Sequence, residues 1–244
     1  MNKIGVALLS GSMCLTTLSS MARGEDESKR PNVLIILTDD QGYADFGCFG
    51  SQTNKTPVMD RFAQEGMSFG NFYAQPVSGS SRSALLTGRY PIRSGGRSMH
   101  ASEVTMAEYA RDAGYQTVCI GKWDLSGRKT VKEQMPLAQG FDYYYGPLAA
   151  NDRGSVTLYE NDELVGKHTD MSSLLSLYTD KTIEFLREKR DDETPFFIYL
   201  SHTMMHVVIE PSECFKGVSE GGCMVMLSRS LTMRQDDFWR HWRS

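Results

Sequence analysis

The sequence predicts an α/β fold, with a mostly parallel or mixed sheet flanked by helices. Residues 32–38 (NVLIILT) form a continuous apolar and β-branched run between polar residues. Such a run is typical of a strand that is buried on both faces of a parallel sheet. Strand-like and helix-like segments then alternate along the chain, which is the pattern of α/β proteins. The 244 residues suffice for one large domain with its own core.

Each further element is predicted from its own pattern. Three more strands are expected where β-branched and aromatic residues are concentrated, at 67–73, 116–120 and 195–200. Four helices are expected between the strands, at 56–65, 81–86, 105–112 and 173–189. Residues 151–165 predict a surface hairpin that turns at Asn161 and Asp162.

Residues 1–22 are predicted to be a signal peptide. Lys3 precedes an apolar stretch at 4–18, and Ser20-Met21-Ala22 matches the small-x-small rule for signal-peptidase cleavage. The apolar stretch is too short for a permanent membrane span, so we expect no transmembrane helix. The mature protein is therefore predicted to be exported, to the periplasm or the extracellular space.

Charge and cysteine content narrow the function classes. The chain has 26 Lys and Arg residues against 30 Asp and Glu residues, a formal net charge of −4, and it has no block of like charges. This balance argues against binding to nucleic acid or to an anionic membrane surface. The cysteines after residue 22 are Cys48, Cys119, Cys214 and Cys223, and none has the CxxC spacing of a zinc site or redox pair. The sequence predicts separate packed thiols or at most one disulfide.

A pair of carboxylates, Asp39 and Asp40, follows the first predicted strand. Open α/β sheets place their ligands at this edge. Two adjacent carboxylates repel each other unless a hard cation such as Ca²⁺ or Mg²⁺ lies between them. Taken alone, the pair is consistent with a metal site and equally with a plain acidic turn.

Residues 78–89 (SGSSRSALLTGR) form a second candidate, in which a small-residue loop leads into a short helix. The start of a helix offers free backbone N–H groups and a positive dipole end, which suit a tetrahedral oxyanion. Arg82 adds a forked hydrogen-bond donor. The alternative interpretation is a flexible loop of serine and glycine.

The same twelve residues resemble the sulfatase signature, which is Cys or Ser, x, Pro, Ser, Arg, three residues, Leu, Thr, Gly, Arg. Similar blocks run from residue 30 to residue 222: PNVLIILTDDQGYADFGCFG, TPVMDRFAQEGMSF, LLTGRYPIRSG, PLAQGFDYYYG, LYENDELV and PFFIYLSHTMMH. The chain thus resembles the N-terminal part of a type I, arylsulfatase-like sulfatase. The resemblance implies the α/β fold of the alkaline-phosphatase-like superfamily, with its C-terminal portion missing.

The resemblance implies hydrolysis of sulfate esters, such as those of carbohydrates or aryl alcohols. In the family, the residue that matches Ser78 is oxidised to formylglycine. One hydroxyl of its hydrated aldehyde attacks sulfur and expels the alcohol, and the other then collapses the diol to release sulfate. A bound Ca²⁺, or Mg²⁺, polarises the sulfate and lowers the pKa of the attacking hydroxyl. Because this chain has Ser at the position rather than Cys, the implied partner is the radical, oxygen-independent formylglycine-generating maturase.

The family's metal and nucleophile positions carry over residue by residue. Asp39 and Asp40 match the first two metal ligands. Ser78 matches the formylglycine, which also contacts the metal. Arg82 matches the arginine that steadies the formylglycine.

Two further residues match positions that bind the sulfate. Lys122 matches the sulfate-binding lysine. His206 matches the histidine that contacts the sulfate and helps the leaving oxygen depart, a task that suits imidazole. Without the resemblance, His206 would be interpreted as a packed histidine at a strand end. Asp124 stands where the family usually has a second histidine, and a carboxylate there would repel a nearby sulfate.

The predicted organisation has three parts. Residues 1–22 are the signal peptide, and 23–222 are the N-terminal part of a sulfatase catalytic domain. From residue 223 the sequence changes to CMVMLSRSLTMRQDDFWRHWRS, which has no glycine and no usable apolar period. If codons 223–239 are read in the frame that starts at the third base of the Cys223 codon, permissible codon choices encode YGDVIEELDDAAGRLLA. Family members continue at this point with a helix of that kind. Residues 223–244 are therefore predicted to be out of frame.

Two alternatives to an active sulfatase stay open from the sequence. A phosphatase or phosphonate hydrolase of the same superfamily would keep the fold and the metal site, although the 78–89 loop argues against it. A non-catalytic remnant is the other alternative, because the family's second metal pair and a further sulfate-binding lysine are not in this chain.

Overall fold

The structure is a computed structural model, and it describes residues 30–189, 193–213 and 216. The predicted signal peptide at 1–22 and the predicted out-of-frame tail at 223–244 lie outside the described residues. All elements given below belong to one compact unit that begins at Val33. No helix in the described part of the chain combines the length and the apolar character needed to cross a membrane.

A six-stranded mixed sheet forms the centre of the fold. In chain order its strands are β1 (Val33–Leu37), β2 (Gln116–Gly121), β3 (Tyr143–Pro147), β4 (Val156–Glu160), β5 (Glu163–His168) and β6 (Phe196–Ser201). Across the sheet the order is β1-β6-β2-β3-β4-β5. The first four strands in that order run parallel, whereas β4 is antiparallel to β3 and β5 is antiparallel to β4. The predicted α/β class with a mixed sheet is confirmed.

Five α-helices in the described part of the chain accompany the sheet: α1 (Pro57–Glu65), α2 (Ser78–Thr87), α3 (Pro91–Ser94), α4 (Met106–Asp112) and α5 (Leu174–Glu188). The start of α4 has a local cause, because Thr105 and Glu108 form a reciprocal capping box. All four predicted helices are confirmed, and the short α3 was not predicted. Helix α2 begins three residues before its predicted start, so Ser78 is its first residue.

The sheet separates two hydrophobic cores. Along β2, Val118 and Ile120 belong to one core, and Cys119 between them belongs to the other, as the two-residue period of a strand requires. Helix α5 packs in the first core, and α2 and α4 contribute to the second. Burial on both faces explains why β6 reads FFIYLS, with five apolar residues in succession.

Residues 67–73 do not form the predicted strand. No strand in the described ranges pairs with them. Their backbone instead contacts the Tyr43 hydroxyl, which lies 3.0 Å and 2.9 Å from the carbonyl oxygens of Phe69 and Phe72 and accepts the Phe72 N–H at 2.8 Å. The side chains of Met67 and Tyr73 are 81% and 79% exposed. The prediction was wrong because an apolar run becomes a strand only where another strand satisfies its backbone groups.

The remaining strand predictions are confirmed, with differences in burial or in the bounds of a strand. The strands predicted at 116–120 and 195–200 are β2 and β6. β1 is also confirmed, but its residues are only half-buried, because β1 lies at an edge of the described sheet with β6 as its neighbour. The hairpin predicted at 151–165 is present as β4 and β5, although β5 continues to His168. The aromatic strand β3 was not predicted.

The cysteine prediction is met in part. Cys119 is a free thiol packed in the core, as expected. Cys48 is also free, but it is exposed rather than packed. Cys214 and Cys223 lie outside the described residues.

Candidate active site

The predicted site residues meet where three parallel strands end. Asp39 follows β1, Lys122 follows β2 directly, and His206 lies in the segment after β6. These ends share one edge of the sheet, as parallel strands require. The Asp39 N–H donates to the Met204 carbonyl at 3.0 Å, which ties the segment after β1 to the segment after β6.

Ser78 is the centre of this group. As the first residue of α2, it directs its hydroxyl at Asp39 Oδ1, to which it donates at 2.8 Å. Arg82 Nε donates to Ser78 Oγ at 2.9 Å, and Lys122 Nζ does so at 3.1 Å. The hydroxyl oxygen therefore lies between two cations and one carboxylate, three partners that come from separate segments of the chain.

Arg82 is held rigidly beside Ser78. It follows one helical turn later on α2, and its side chain is 1% exposed. Its Nη1 donates to the Lys122 carbonyl at 3.1 Å and to the Ser201 hydroxyl, and its Nη2 donates to the His202 carbonyl at 3.3 Å. Because nearly all its donors are satisfied by the ends of β2 and β6, the guanidinium cannot swing away.

Lys122 and Asp39 form a buried ion pair. Lys122 Nζ lies 2.6 Å from Asp39 Oδ2, and the two side chains are 1% and 4% exposed. Burial alone would raise the pKa of Asp39, but the charges of Arg82 and Lys122 outweigh it and hold that pKa below its ordinary value. Asp39 is therefore an ionised acceptor at neutral pH.

Gly121 lets the backbone deliver Lys122 to this place. Its φ of +100° lies in the left-handed region, and a Cβ there would collide with the Ser201 carbonyl. The same carbonyl accepts the Lys122 N–H at 2.7 Å. The close approach of β2 to β6 at this point fixes the direction in which the lysine leaves the sheet.

Asp124 lies in the position at which we expected a carboxylate to disturb the site. The structure places it buried, with a φ of +55°, and with its Oδ2 at 3.5 Å from Lys122 Nζ. Arg128 Nε lies 3.3 Å from its other oxygen. Two cations therefore offset the Asp124 charge, which reduces the repulsion that it would exert on an anion.

Asp40 and His206 lie at the rim of the site. Asp40 is 57% exposed, and its Oδ2 is 3.9 Å from His206 Nε2. His206 Nε2 is closer, at 3.4 Å, to Asp152 Oδ1. The buried Asn151 fixes the His206 segment by donating to the carbonyls of His206 and Val208 at 3.2 Å and 2.9 Å. The structure thus brings Asp39, Ser78, Arg82 and Lys122 into direct contact. The His206 imidazole lies next to the carboxylates of Asp40 and Asp152 instead.

The three predicted metal ligands provide only oxygen donors. Asp39, Asp40 and Ser78 supply oxygen donors, the type that Ca²⁺ and Mg²⁺ prefer. Ca²⁺ takes roughly six to eight oxygens. Among the described residues, no three or more His, Cys, Asp or Glu side chains are grouped so that they could hold a metal ion. The three residues therefore match such an ion in the type of their donor atoms.

Sequence reasoning missed several residues that shape the site. Arg128 and Asp152 form an ion pair at 2.8 Å that links Asp124 to His206. The spacing of Asp124 and Arg128, four residues apart with opposite charges, was the only available signal for this link. Ser201 donates to the Lys122 carbonyl at 2.6 Å, and nothing in its sequence context indicates that role.

Comparison with known proteins identifies relatives of this chain. The sulfatase family profile matches residues 31–222. N-acetylgalactosamine-6-sulfatase from Canis lupus familiaris is 32% identical over 252 aligned positions, which cover 89% of this chain and 48% of that protein. Arylsulfatase G from Rattus norvegicus is 32% identical, with 75% of this chain and 43% of that protein covered. The chain thus spans about half the length of the curated relatives it matches.

Solved structures show the same fold. A sulfatase from Pseudoalteromonas sp. superposes with a TM-score of 0.77 at 23% identity, covering 89% of this chain and 52% of that one. A protein solved in complex with its substrate D-glucosamine-2-N,6-O-disulfate has a TM-score of 0.66 at 31% identity, covering 78% and 37%. A protein in the alkaline phosphatase superfamily from Vibrio parahaemolyticus has a TM-score of 0.59 at 20% identity, covering 86% and 51%. With a family match over most of its length, this chain belongs to the sulfatase family.

Proposed function

We propose that this chain carries the nucleophile and the anion-binding residues of a sulfatase that hydrolyses carbohydrate sulfate esters. One observation carries the proposal: the Ser78 oxygen is contacted at once by Arg82, Lys122 and Asp39. A serine meant only for packing or solvation needs no such set of buried charges. Two cations beside one oxygen suit a reaction at the singly charged sulfate group of an ester, which leaves as doubly charged sulfate.

Within this proposal each side chain has a defined task. Ser78 is the residue to be oxidised to formylglycine, which when formed supplies the nucleophilic hydroxyl. Arg82 orients that residue, since its position is fixed by the ends of β2 and β6. Lys122 binds the sulfate oxygens. His206 donates the proton to the departing alcohol oxygen, because it is the imidazole at the rim of the site.

The metal and the maturase are parts of the same proposal. Asp39, Asp40 and Ser78 would hold Ca²⁺, or Mg²⁺, and the ion would supply charge stabilisation to the sulfate oxygens. Ser78 is reached by a maturase only before the chain folds fully or through a local opening, because its hydroxyl is enclosed by Asp39, Arg82 and Lys122. Its serine identity points to the radical class of maturase.

The relatives support a sugar as the alcohol that is released. The names of the curated relatives include N-acetylgalactosamine-6-sulfatase, and a structural neighbour was solved with a sulfated glucosamine as its substrate. An aryl sulfate is the other candidate, since arylsulfatase G is also among the relatives. Export to the periplasm or the extracellular space completes the proposal, and N-terminal sequencing of the mature protein checks it.

The experiment is to express the full chain with a radical maturase and to examine the Ser78 peptide by mass spectrometry. Formylglycine formation removes two hydrogen atoms from the serine and leaves an aldehyde that a hydrazine probe labels. Release of inorganic sulfate from N-acetylgalactosamine 6-sulfate is then measured with added Ca²⁺. Ser78→Ala should abolish both labelling and turnover. Ser80→Ala is the matched control, since the Ser80 hydroxyl donates to the Gly96 carbonyl rather than to the site.

The outcomes separate the alternatives. Sulfate release that depends on Ser78 supports the proposal. Hydrolysis of the matching phosphate ester, with none of the sulfate ester, would assign the chain to the phosphatases or phosphonate hydrolases. A labelled aldehyde at Ser78 without any turnover would contradict the proposed activity for this polypeptide and favour a non-catalytic remnant.

A further inference from the structure

A cavity of about 640 Å³ lies beside the active site. This volume falls within the roughly 300–1,000 Å³ of sites that bind small molecules. The wall of the cavity includes Arg128 and Asp152, the ion pair at the rim of the active site. Arg153, which precedes β4, and Lys167, which lies in β5, contribute to the same wall. We name this space the β-hairpin cavity.

The charged residues that line the β-hairpin cavity are mostly cationic. Arg128, Arg153 and Lys167 face one carboxylate, that of Asp152, which Arg128 already pairs at 2.8 Å. Within the described ranges, no carboxylate lies at ion-pair distance from Arg153 or Lys167. The chain as a whole has a net charge of −4, whereas the charged residues that line this cavity are mostly positive. Two unpaired cations in a concave wall favour an anionic ligand.

A continuous series of charge contacts connects the cavity to the site. Lys122 Nζ is 3.5 Å from Asp124, and Asp124 is 3.3 Å from Arg128. Arg128 is 2.8 Å from Asp152, which is 3.4 Å from His206. The proposed function assigns His206 to the departing alcohol oxygen. The cavity therefore adjoins the side of the site on which the rest of the sugar substrate would lie.

We propose that the β-hairpin cavity binds the acidic group of a sugar next to the one that is desulfated. The group is a carboxylate or a second sulfate, and Arg153 and Lys167 are its ligands. The inference rests on the proposed function, and it narrows the substrate class to acidic oligosaccharides. Arg128 is suited to hold the wall in place rather than to bind, since Asp124 and Asp152 already engage its guanidinium.

The test measures binding to the full chain by calorimetry, without turnover. The first ligand is a tetrasaccharide of alternating uronic acid and 6-sulfated N-acetylgalactosamine, and the second is N-acetylgalactosamine 6-sulfate alone. The variant Arg153→Gln/Lys167→Gln should bind the tetrasaccharide about tenfold more weakly, because two charge-assisted contacts are lost. Its affinity for the monosaccharide should stay unchanged. The matched control is Lys129→Gln/Lys132→Gln, two exposed cations that do not line the cavity.

Each outcome decides the proposal. A tetrasaccharide affinity that is equal in the wild type and the cavity variant would overturn it, as would an equal loss in the control or no binding to the wild type. If a sulfated tetrasaccharide whose uronic acids are reduced to alcohols loses the difference, the ligand group is the carboxylate, and if it keeps the difference, the group is a second sulfate. A chain that binds through Arg153 and Lys167 yet releases no sulfate would count against the proposed activity and leave this subsite standing.

Discussion

The Lys122 ammonium nitrogen lies 2.6 Å from Asp39 Oδ2, and both side chains are buried. The two residues are 83 positions apart and follow strands that are not neighbours, since β6 lies between β1 and β2. Arg82 approaches the same carboxylate at 3.4 Å. One aspartate thus contacts both of the cations that lie beside Ser78.

Replacing Lys122 by methionine should destabilise the protein. Asp39 would lose one of its two cations and keep only the longer contact to Arg82, which leaves part of a buried charge uncompensated. We expect a loss of about 3 kcal/mol in the free energy of unfolding, near the lower end for a broken buried pair. Urea denaturation measures this directly.

The double variant Asp39→Asn/Lys122→Met provides the control for this prediction. It removes both charges, so its cost should be clearly smaller than the sum of the two single variants. Additive losses would show that Asp39 and Lys122 do not interact in the folded protein.

His202 should make the protein sensitive to acid. Its imidazole is fully buried, and neither ring nitrogen has a hydrogen-bond partner among the residues that the structure describes. Burial, assisted by the charge of Arg82, lowers its pKa to about 3. The unfolded chain takes up a proton at an ordinary pKa of about 6.5, so the contribution of His202 to stability is complete above that pH and falls as the pH drops towards 3.

His202→Leu should therefore reduce the loss of stability between pH 6.5 and pH 5. The difference from wild type amounts to about 1.6 kcal/mol over this interval, since the full slope of about 1.4 kcal/mol per pH unit is reached only below the unfolded pKa. Urea unfolding at both pH values measures it. His100→Leu is the control, because the same substitution is made there at an exposed position. An unchanged slope in His202→Leu would contradict the buried neutral imidazole.

Gly79→Ala should disturb the start of α2. A Cβ at Gly79 would collide with the Arg97 carbonyl and lie 2.9 Å from the Asp124 carbonyl oxygen, and neither backbone can yield easily. We expect a loss of about 1–3 kcal/mol, as for other overpacked sites. Thermal unfolding is the measurement. Gly70→Ala should cost much less, because a Cβ there meets no atom within 4 Å.

Tyr43→Phe should loosen residues 67–73. Removal of the hydroxyl deletes its contacts with the backbone of Phe69 and Phe72, at a cost of about 1 kcal/mol. Hydrogen exchange should show faster exchange at the Phe72 amide. Tyr73→Phe is the matched control, since the Tyr73 hydroxyl makes only a 3.5 Å contact with Asn71. Equal exchange rates at the Phe72 amide in the two variants would contradict the role assigned to the Tyr43 hydroxyl.

The elements that could be predicted from the sequence are those whose signals are local. The apolar runs of β1, β2 and β6 and the capping residues of α4 determine those elements without reference to the rest of the chain. Residues 67–73 carry the same kind of signal, but strand formation depends on a partner that the local pattern does not reveal. The tyrosines of β3 carry a strand signal, but they were missed because Gly146 and Pro147 follow them directly, and these residue types are typical of turns.

The residues of the candidate site also divide into those with a local sequence signal and those without one. Asp39, Ser78, Arg82 and Lys122 were found because they occupy strand ends or motif positions, and the structure brings them together. Arg128 and Asp152 were not found, because their role depends on how two loops approach each other in space. The sequence also indicated that the Asp124 carboxylate would repel a sulfate. Only the fold shows that Arg128, the second cation beside it, offsets this charge.

The close approach at Gly121 limits how this protein can be diversified. A side chain at that position is excluded by the backbone of β6, so neither natural drift nor a mutant library can use it to reshape the pocket. The strand ends are thus fixed, and variation is left to the loops that carry Arg128 and Arg153. Changes around the candidate site should therefore come from these loops, and a library directed at residues 126–130 and 149–155 would sample them most efficiently.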